Sequence, residues 1–388
     1  MRILMVHNYY QHAGGEDQVF EAESRILEQQ GHSVIRLRKT YSELIELSPT
    51  TIAGKAVWNG ETYRAVRDTI RKEGVQLAHF HNTFPLISPS AYYAAKAEKV
   101  PVVQTLHNFR LLCPGGLLYR DGQVCEECVG PRVPWHAVQH SCYRGSTTQS
   151  AAVAAMLTLH RLVGTWRTAV TAYVALTEFA RGKFIEGGLP HEKIHVKPNF
   201  MARDPGTGAG RGSFALFAGR ITRDKGVDIL LDAWQTLDAT IPLKIVGEGP
   251  LRESIERRSQ AFPNVEVLGP RSREEVLSLM RAATVLVVPS LWYEGFPMTI
   301  VEAYACGLPV IASNLGSLSS VVHDSYTGHL FQPGDAAGLA ACVRRMFSRA
   351  EETAAMRRNA RAVFEERYSP ETGYKALMGV YQSALLSN

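Results

Sequence analysis

Glu294 and Glu302 stand with seven residues between them in the stretch PSLWYEGFPMTIVEAYACGLP, residues 289–309. The apolar run TVLVVPS leads into Glu294-Gly295-Phe296-Pro297, and Met298 to Cys306 then reads as a helix stopped by Gly307 and Pro309. A helix start offers unpaired N–H groups and a partial positive charge, which suit a phosphate. Pro297 has no N–H, so the amides of Met298 and Thr299 are the donors at this one. A carboxylate beside an anion has to address something else, and sugar hydroxyls are donors that a carboxylate accepts. The plainer alternative is that Glu294 caps the helix and Glu302 is solvated.

A second cluster lies upstream in GRITRDKG, where Arg220 and Lys225 follow the strand FALFAGR. A guanidinium fork and an ammonium together can clamp a diphosphate, with Arg223 sharing the load; the alternative is a solvated basic turn. Two further strand ends, Gly247-Glu248-Gly249-Pro250 and Gly269-Pro270-Arg271, form turns whose backbone amides can meet a flat base.

EGFPMTIVE resembles the E-x7-E signature of the retaining family-4 glycosyltransferases, enzymes of the GT-B fold that use nucleotide sugars. The resemblance implies that Glu294 contacts the donor sugar and Glu302 the ribose, and that Arg220 and Lys225 hold the pyrophosphate. It places the nucleobase at the turns carrying Glu248, Gly249 and Arg271, and puts Gly295 and Phe296 in the donor loop. It also implies a histidine near the donor sugar at the position of His107; the Asp that commonly follows is replaced here by Asn108. The activity it implies is transfer of a sugar to a glycan, lipid-linked or small-molecule acceptor with retention of configuration. We expect front-face attack, with the departing diphosphate taking the proton. With Arg220 and Lys225 neutralising the leaving group and no D-x-D in the chain, no catalytic metal is expected.

These residues need a scaffold. A chain of 388 residues is long for one core, and two domains are the first expectation. RILMVHN at 2–8 is a buried strand, followed by Gly14-Gly15, where the missing side chains allow close backbone approach to the donor and both amides are expected to help stabilise the charge of the departing diphosphate, and by a helix from about Asp17 to Gln30. SVIRLRK, LAHFHN and VPVVQTLHN continue as strands, with helices near 57–73 and 89–98. The third of these ends in His107, where an imidazole can bond a sugar hydroxyl or shelter a developing charge, and His79 and His81 stand at the preceding strand end. Residues 150–171 read as one long helix, more apt to pack than to rest on a bilayer, and AYVALTE and IHVKPN close the domain.

The alternation predicts an α/β class: two Rossmann-like, doubly wound domains facing across a cleft. The expected division is 1–201 as the acceptor-side domain with a cysteine-rich insertion at 109–146, a Gly-rich linker at 202–213, a nucleotide-sugar domain at 214–369, and a helix at 370–388 crossing back to the first domain.

Composition is ordinary for a globular enzyme, at 45 % hydrophobic and 20 % charged. A net charge of +5 suits an anionic small ligand or an acidic membrane surface and falls short of a nucleic-acid signature. No apolar run reaches bilayer-spanning length and no cleavable signal opens the chain, so a cytoplasmic protein is expected, with peripheral contact at the inner membrane face as its accompaniment. Of six cysteines, Cys113, Cys125, Cys128 and Cys142 cluster as candidates for a structural Zn²⁺; the alternative is small buried hydrophobes. Two rival functions remain. One is a nucleotide-sugar epimerase of the same fold. The other is a zinc metalloprotease, from His191-Glu192-Lys193-Ile194-His195, which fits H-E-x-x-H but is hemmed by Pro190 and Pro198.

Overall fold

Apolar runs too long to alternate become interior parallel strands, and the chain builds two six-stranded parallel sheets from them. The computed structural model describes residues 1–9, 14–131, 133–209 and 212–387. Two compact units divide the chain: one comprises Met1–Leu118, Cys125–Ala202 and Gly373–Asn388, the other Tyr119–Val124 and Arg203–Thr372. Gly210 and Arg211 of the expected linker lie outside the described residues.

The first unit contains β1 (Arg2–Asn8), β2 (Ser33–Lys39), β3 (Leu77–Asn82) and β4 (Val102–Leu106). The short hairpin of β5 (Tyr119–Arg120) and β6 (Gln123–Val124) groups with the second unit, and β7 (Ala172–Ala175) and β8 (Ile194–Val196) complete the first sheet. Its order is β2-β1-β3-β4-β7-β8. The helix Gly15–Gln29 packs on it through Val19, Phe20, Ile26 and Leu27. The C-terminal helix Pro370–Leu386 belongs from Gly373 to this unit, with Tyr381 fully buried.

Two helix boundaries differ from the expected ones. The helix expected near 57–73 is Gly60–Glu73: the Asn59 side chain accepts from the Glu61 and Thr62 amides and starts it there, apart from the helix Pro49–Val57 before it. The segment 150–171 is two helices, Thr147–Leu162 and Thr165–Thr168, broken at Gly164, whose φ of +71° an α-helix cannot continue through. Among the described residues no helix is long and apolar enough to cross a membrane.

The second unit contains β9 (Ala215–Ala218), β10 (Leu243–Val246), β11 (Val265–Gly269), β12 (Val285–Val288), β13 (Val310–Ser313) and β14 (Gly328–Phe331). Their order is β11-β10-β9-β12-β13-β14, all parallel. Its core gathers Phe217, Leu230, Trp234, Ile245, Val287 and Met346. The fold class is as expected: two doubly wound parallel α/β domains.

Candidate functional site

Strand order in the second unit reverses between β9 and β12, so the chain leaves those two neighbours toward opposite faces and opens a crevice at their carboxyl ends. Both chemical clusters of the sequence emerge there. After β9 the turn Arg223–Lys225 enters the helix Val227–Trp234 through Gly226, whose φ is +71°. A Cβ on Gly226 would lie 1.9 Å from the Pro289 carbonyl oxygen beyond β12, so only glycine lets the two connections approach this closely. The Leu291 N–H donates to the Asp224 carbonyl at 2.8 Å and ties them.

Lys225 Nζ then sits 2.6 Å from Glu294 Oε1. The Ser290 hydroxyl and the Trp292 Nε1–H donate to the same oxygen at 2.6 and 3.2 Å. The ammonium also lies 5.4 Å from the Trp292 ring centroid. Glu294 is buried, and with three donors on Oε1 its Oε2 has no hydrogen bond among the described residues. The helix Met298–Ala305 starts four residues on, with no side-chain cap and with the Met298 and Thr299 amides unbonded among the described residues. Within it, Glu302 Oε1 lies 3.1 Å from Arg273 Nη2. Burial raises the Glu302 carboxyl above its ordinary range, with Arg273 pulling the other way.

The remaining expected donor residues are looser. Arg220 has its side chain 67 % exposed, with Nη2 at 4.0 Å from Asp224 Oδ2. Glu248 accepts from Arg252 Nη1 at 2.7 Å beside Gly249, and Arg271 Nη1 donates to the Pro270 carbonyl at 3.2 Å. Phe296 meets the Tyr368 ring at 6.0 Å and anchors the loop through Gly295. Sequence reasoning overlooked Ser290, Trp292 and Arg273. The first two lie inside the quoted motif, where their polar atoms were the available signal.

In the first unit the strand order turns between β1 and β3, and His7, His81 and His107 converge at the carboxyl ends of β1, β3 and β4, with His79 beneath them in the middle of β3. His107 is buried, with Nε2 3.0 Å from His81 Nδ1, and burial holds both imidazoles well below their ordinary values. The expectation for Gly14 needs correction as regards its amide: the N–H donates to Asp17 Oδ2 at 2.8 Å, while Asp17 Oδ1 lies 2.6 Å from His7 Nε2. Gly15 is the member of the pair whose amide is unbonded among the described residues.

Glu16, also unforeseen, takes Asn108 Nδ2–H at 2.9 Å on Oε1, and burial pushes its carboxyl up to about 7 against the pull of Asn108 and Arg110. A carboxyl raised in the folded state contributes stability below its unfolded value near 4.5 and loses it as pH climbs through 7. Glu16→Gln is therefore expected to gain apparent Tm over wild type at pH 8 relative to pH 5. A Tm difference independent of pH between the two proteins would refute this, and thermal denaturation across that range measures it.

Cys113, Cys125, Cys128 and Cys142 neighbour one another; burial, with the nearby Cys113 thiol adding, pushes Cys128 up to about 12. A tetrahedral Zn²⁺ with Zn–S bonds of about 2.3 Å needs sulfurs about 3.8 Å apart. Among the described residues no three cysteine sulfurs gather within 4.8 Å, so this arrangement does not fit a zinc cage. Glu23, His79 and His81 do meet that distance. A cation is disfavoured there because Lys197 Nζ already bonds Glu23, and the hydroxyls of Tyr381 and Thr105 occupy both His79 nitrogens at 2.8 Å. The H-E-x-x-H reading is overturned: His191–Lys193 is a single 3₁₀ turn and His195 lies in β8, so no helix presents the two imidazoles on one face.

Residues 205–363 match the family model described as glycosyl transferases group 1. An uncharacterised glycosyltransferase of Methanocaldococcus jannaschii is 27 % identical over 82 % of this chain and 77 % of its own length. The phosphatidyl-myo-inositol mannosyltransferase of Mycobacterium leprae is 30 % identical, over 45 % of this chain and 49 % of that protein. In fold, the chain is similar to Anabaena HepE, solved in complex with UDP, with a TM-score of 0.70 over 99 % of this chain and 100 % of that one at 18 % identity. Residues 205–363 are a glycosyl transferases group 1 domain, and the protein is a glycosyltransferase.

Proposed function

We propose that the protein moves a sugar from a nucleotide-diphosphate donor to an acceptor hydroxyl with retention of configuration and without a catalytic metal. The observation that carries this is the Lys225–Glu294 pair at the β9/β12 switch point, one turn before a helix start with unbonded amides. The diphosphate takes Lys225, Arg220 and the Met298 and Thr299 amides; Glu294 Oε2 accepts from sugar hydroxyls, and Glu302, oriented by Arg273, accepts from the ribose. Glu248, Gly249 and Arg271 border the base at the ends of β10 and β11. The names of HepE in its UDP complex and of the mannosyltransferase support a donor of this class.

In the transfer, the bond from the anomeric carbon to the diphosphate oxygen breaks and the acceptor oxygen bonds that carbon from the same face. The acceptor proton passes to the departing phosphate oxygen. Charge separation is the barrier, and cations fixed before the reaction lower it without reorganisation. His107, ending β4 in the first unit, offers an imidazole for a hydroxyl. The relatives are named as transferases, which does not favour the epimerase; donor incubated without acceptor should show no epimerised product.

Thermal shift with a panel of UDP-, GDP- and ADP-sugars, on wild type, Glu302→Ala and Arg220→Ala, tests the site. A carboxylate hydrogen bond to ribose is worth about 1.5–3 kcal/mol, so Glu302→Ala should weaken the responding donor by about 10- to 100-fold. No response from wild type, or both variants responding as wild type does, overturns the assignment.

A further inference from the structure

Beneath His107 runs a chain of fully buried polar groups that the transfer chemistry above does not use. Glu23 projects from the helix Gly15–Gln29, 0 % exposed, and its Oε1 accepts from Lys197 Nζ, also 0 % exposed, which follows β8. Glu23 Oε2 and His81 Nε2 are both buried without a hydrogen bond and lie 3.3 Å apart as an electrostatic contact, with His79 Nδ1 at 3.7 Å from the same oxygen. His81 Nδ1 faces His107 Nε2 at 3.0 Å, with the rings stacked at 5.2 Å. His107 Nδ1 has no hydrogen bond among the described residues and is not sealed from solvent.

The proton positions follow from counting donors. A carboxylate accepts only, so His81 Nε2 carries hydrogen; the opposite tautomer would set a lone pair against a buried negative charge. A neutral His81 then has its lone pair on Nδ1, and His107 must donate through Nε2–H. A neutral His107 is left with a lone pair on Nδ1, able to accept from a hydroxyl. Burial and the nearby Lys197 ammonium keep both rings neutral.

We infer that Glu23 and His81 are positioning residues that lock His107 in its Nε2–H tautomer, so that His107 Nδ1 accepts a hydrogen bond from a substrate hydroxyl. The last clause rests on the proposed function; the tautomer itself does not.

The test therefore has two readouts on the full-length protein. Long-range ¹H–¹⁵N correlation spectra of ¹⁵N-histidine-labelled protein report which ring nitrogen of His107 carries hydrogen. Wild type should show His107 protonated at Nε2 alone. Because Glu23→Leu alone would strand a buried ammonium, the charge is removed as Glu23→Leu with Lys197→Met, and His81→Gln serves as a second, charge-neutral variant. In both, His107 should become a tautomer mixture and kcat should fall on the order of 10- to 100-fold with little change in KM for the donor. Nδ1–H in wild type, or an unchanged spectrum in both variants, overturns the lock. A locked tautomer with His107→Gln fully active would instead uphold the lock and remove His107 from substrate contact.

Discussion

Lys225→Met is expected to lower kcat/KM by about 10²- to 10³-fold, the usual loss when one preorganised charge-stabilising donor is removed. Two effects combine. The ammonium no longer meets the leaving diphosphate, and Glu294, otherwise held by Lys225 at 2.6 Å, is left as a buried carboxylate facing the donor's negative charge. Like charges 4 Å apart oppose one another by about 4 kcal/mol at an effective dielectric near 20, so donor binding should suffer as well as turnover. Lys225→Arg keeps the charge but replaces a compact point donor with a wide fork in a turn closed against Pro289, and should recover part of the activity. Glu294→Gln separates the roles: Lys225 still binds diphosphate, so nucleotide affinity is retained while transfer falls. Initial-rate kinetics with nucleotide inhibition measure both. A Lys225→Met enzyme with wild-type kcat/KM would remove the ammonium from the reaction.

The second unit was legible because its chemistry is local. Glu294, its helix start and Glu302 lie within nine residues, and the Lys225 turn follows a strand whose apolar run marks it. Ser290 and Trp292 fall four and two residues before Glu294, close enough to be read but with no rule that predicts three donors converging on one oxygen. Arg273 needed the tertiary fold, since nothing in its own helix points it at Glu302.

In the first unit the strand-end histidines were visible and their connections were not. His81 meets His107 across 26 positions, Lys197 meets Glu23 across 174, and Tyr381 meets His79 across 302. One signal was available. Glu23 falls four residues after Val19 and four before Leu27, on the apolar stripe of its helix, and a carboxylate on such a stripe requires a buried partner. Gly14 shows the reverse case. Its amide looked free from the sequence, but Asp17, three residues on, is spaced to accept from it at a helix start. The misjudged helix limits have the same local origin, in an Asn59 cap and a glycine with positive φ, both weak against a long apolar pattern.

Lys197→Met is expected to destabilise the protein by about 3–5 kcal/mol, the cost of leaving one member of a buried ion pair without its partner. Both side chains are 0 % exposed, so no water replaces the lost ammonium around Glu23. Burial alone would raise the Glu23 carboxyl; Lys197, then His79, outweigh it and hold the carboxyl below its ordinary range. The sign follows: a depressed carboxyl contributes stability above its unfolded value, near 4.5, and loses it as pH falls through the lower folded value. The gap in apparent Tm between wild type and Lys197→Met should thus be wide at pH 7 and narrow below about pH 4.5. Glu23→Leu with Lys197→Met should be far closer to wild type than Lys197→Met alone, since two apolar side chains of similar volume carry no unpaired charge. If the double variant is instead less stable than the single, the pair contributes net stability beyond its desolvation cost. A chain that keeps such a pair only for stability would lose little activity on replacing both members, so a double variant that folds well and transfers sugar poorly assigns the pair to holding His107 rather than to holding the fold.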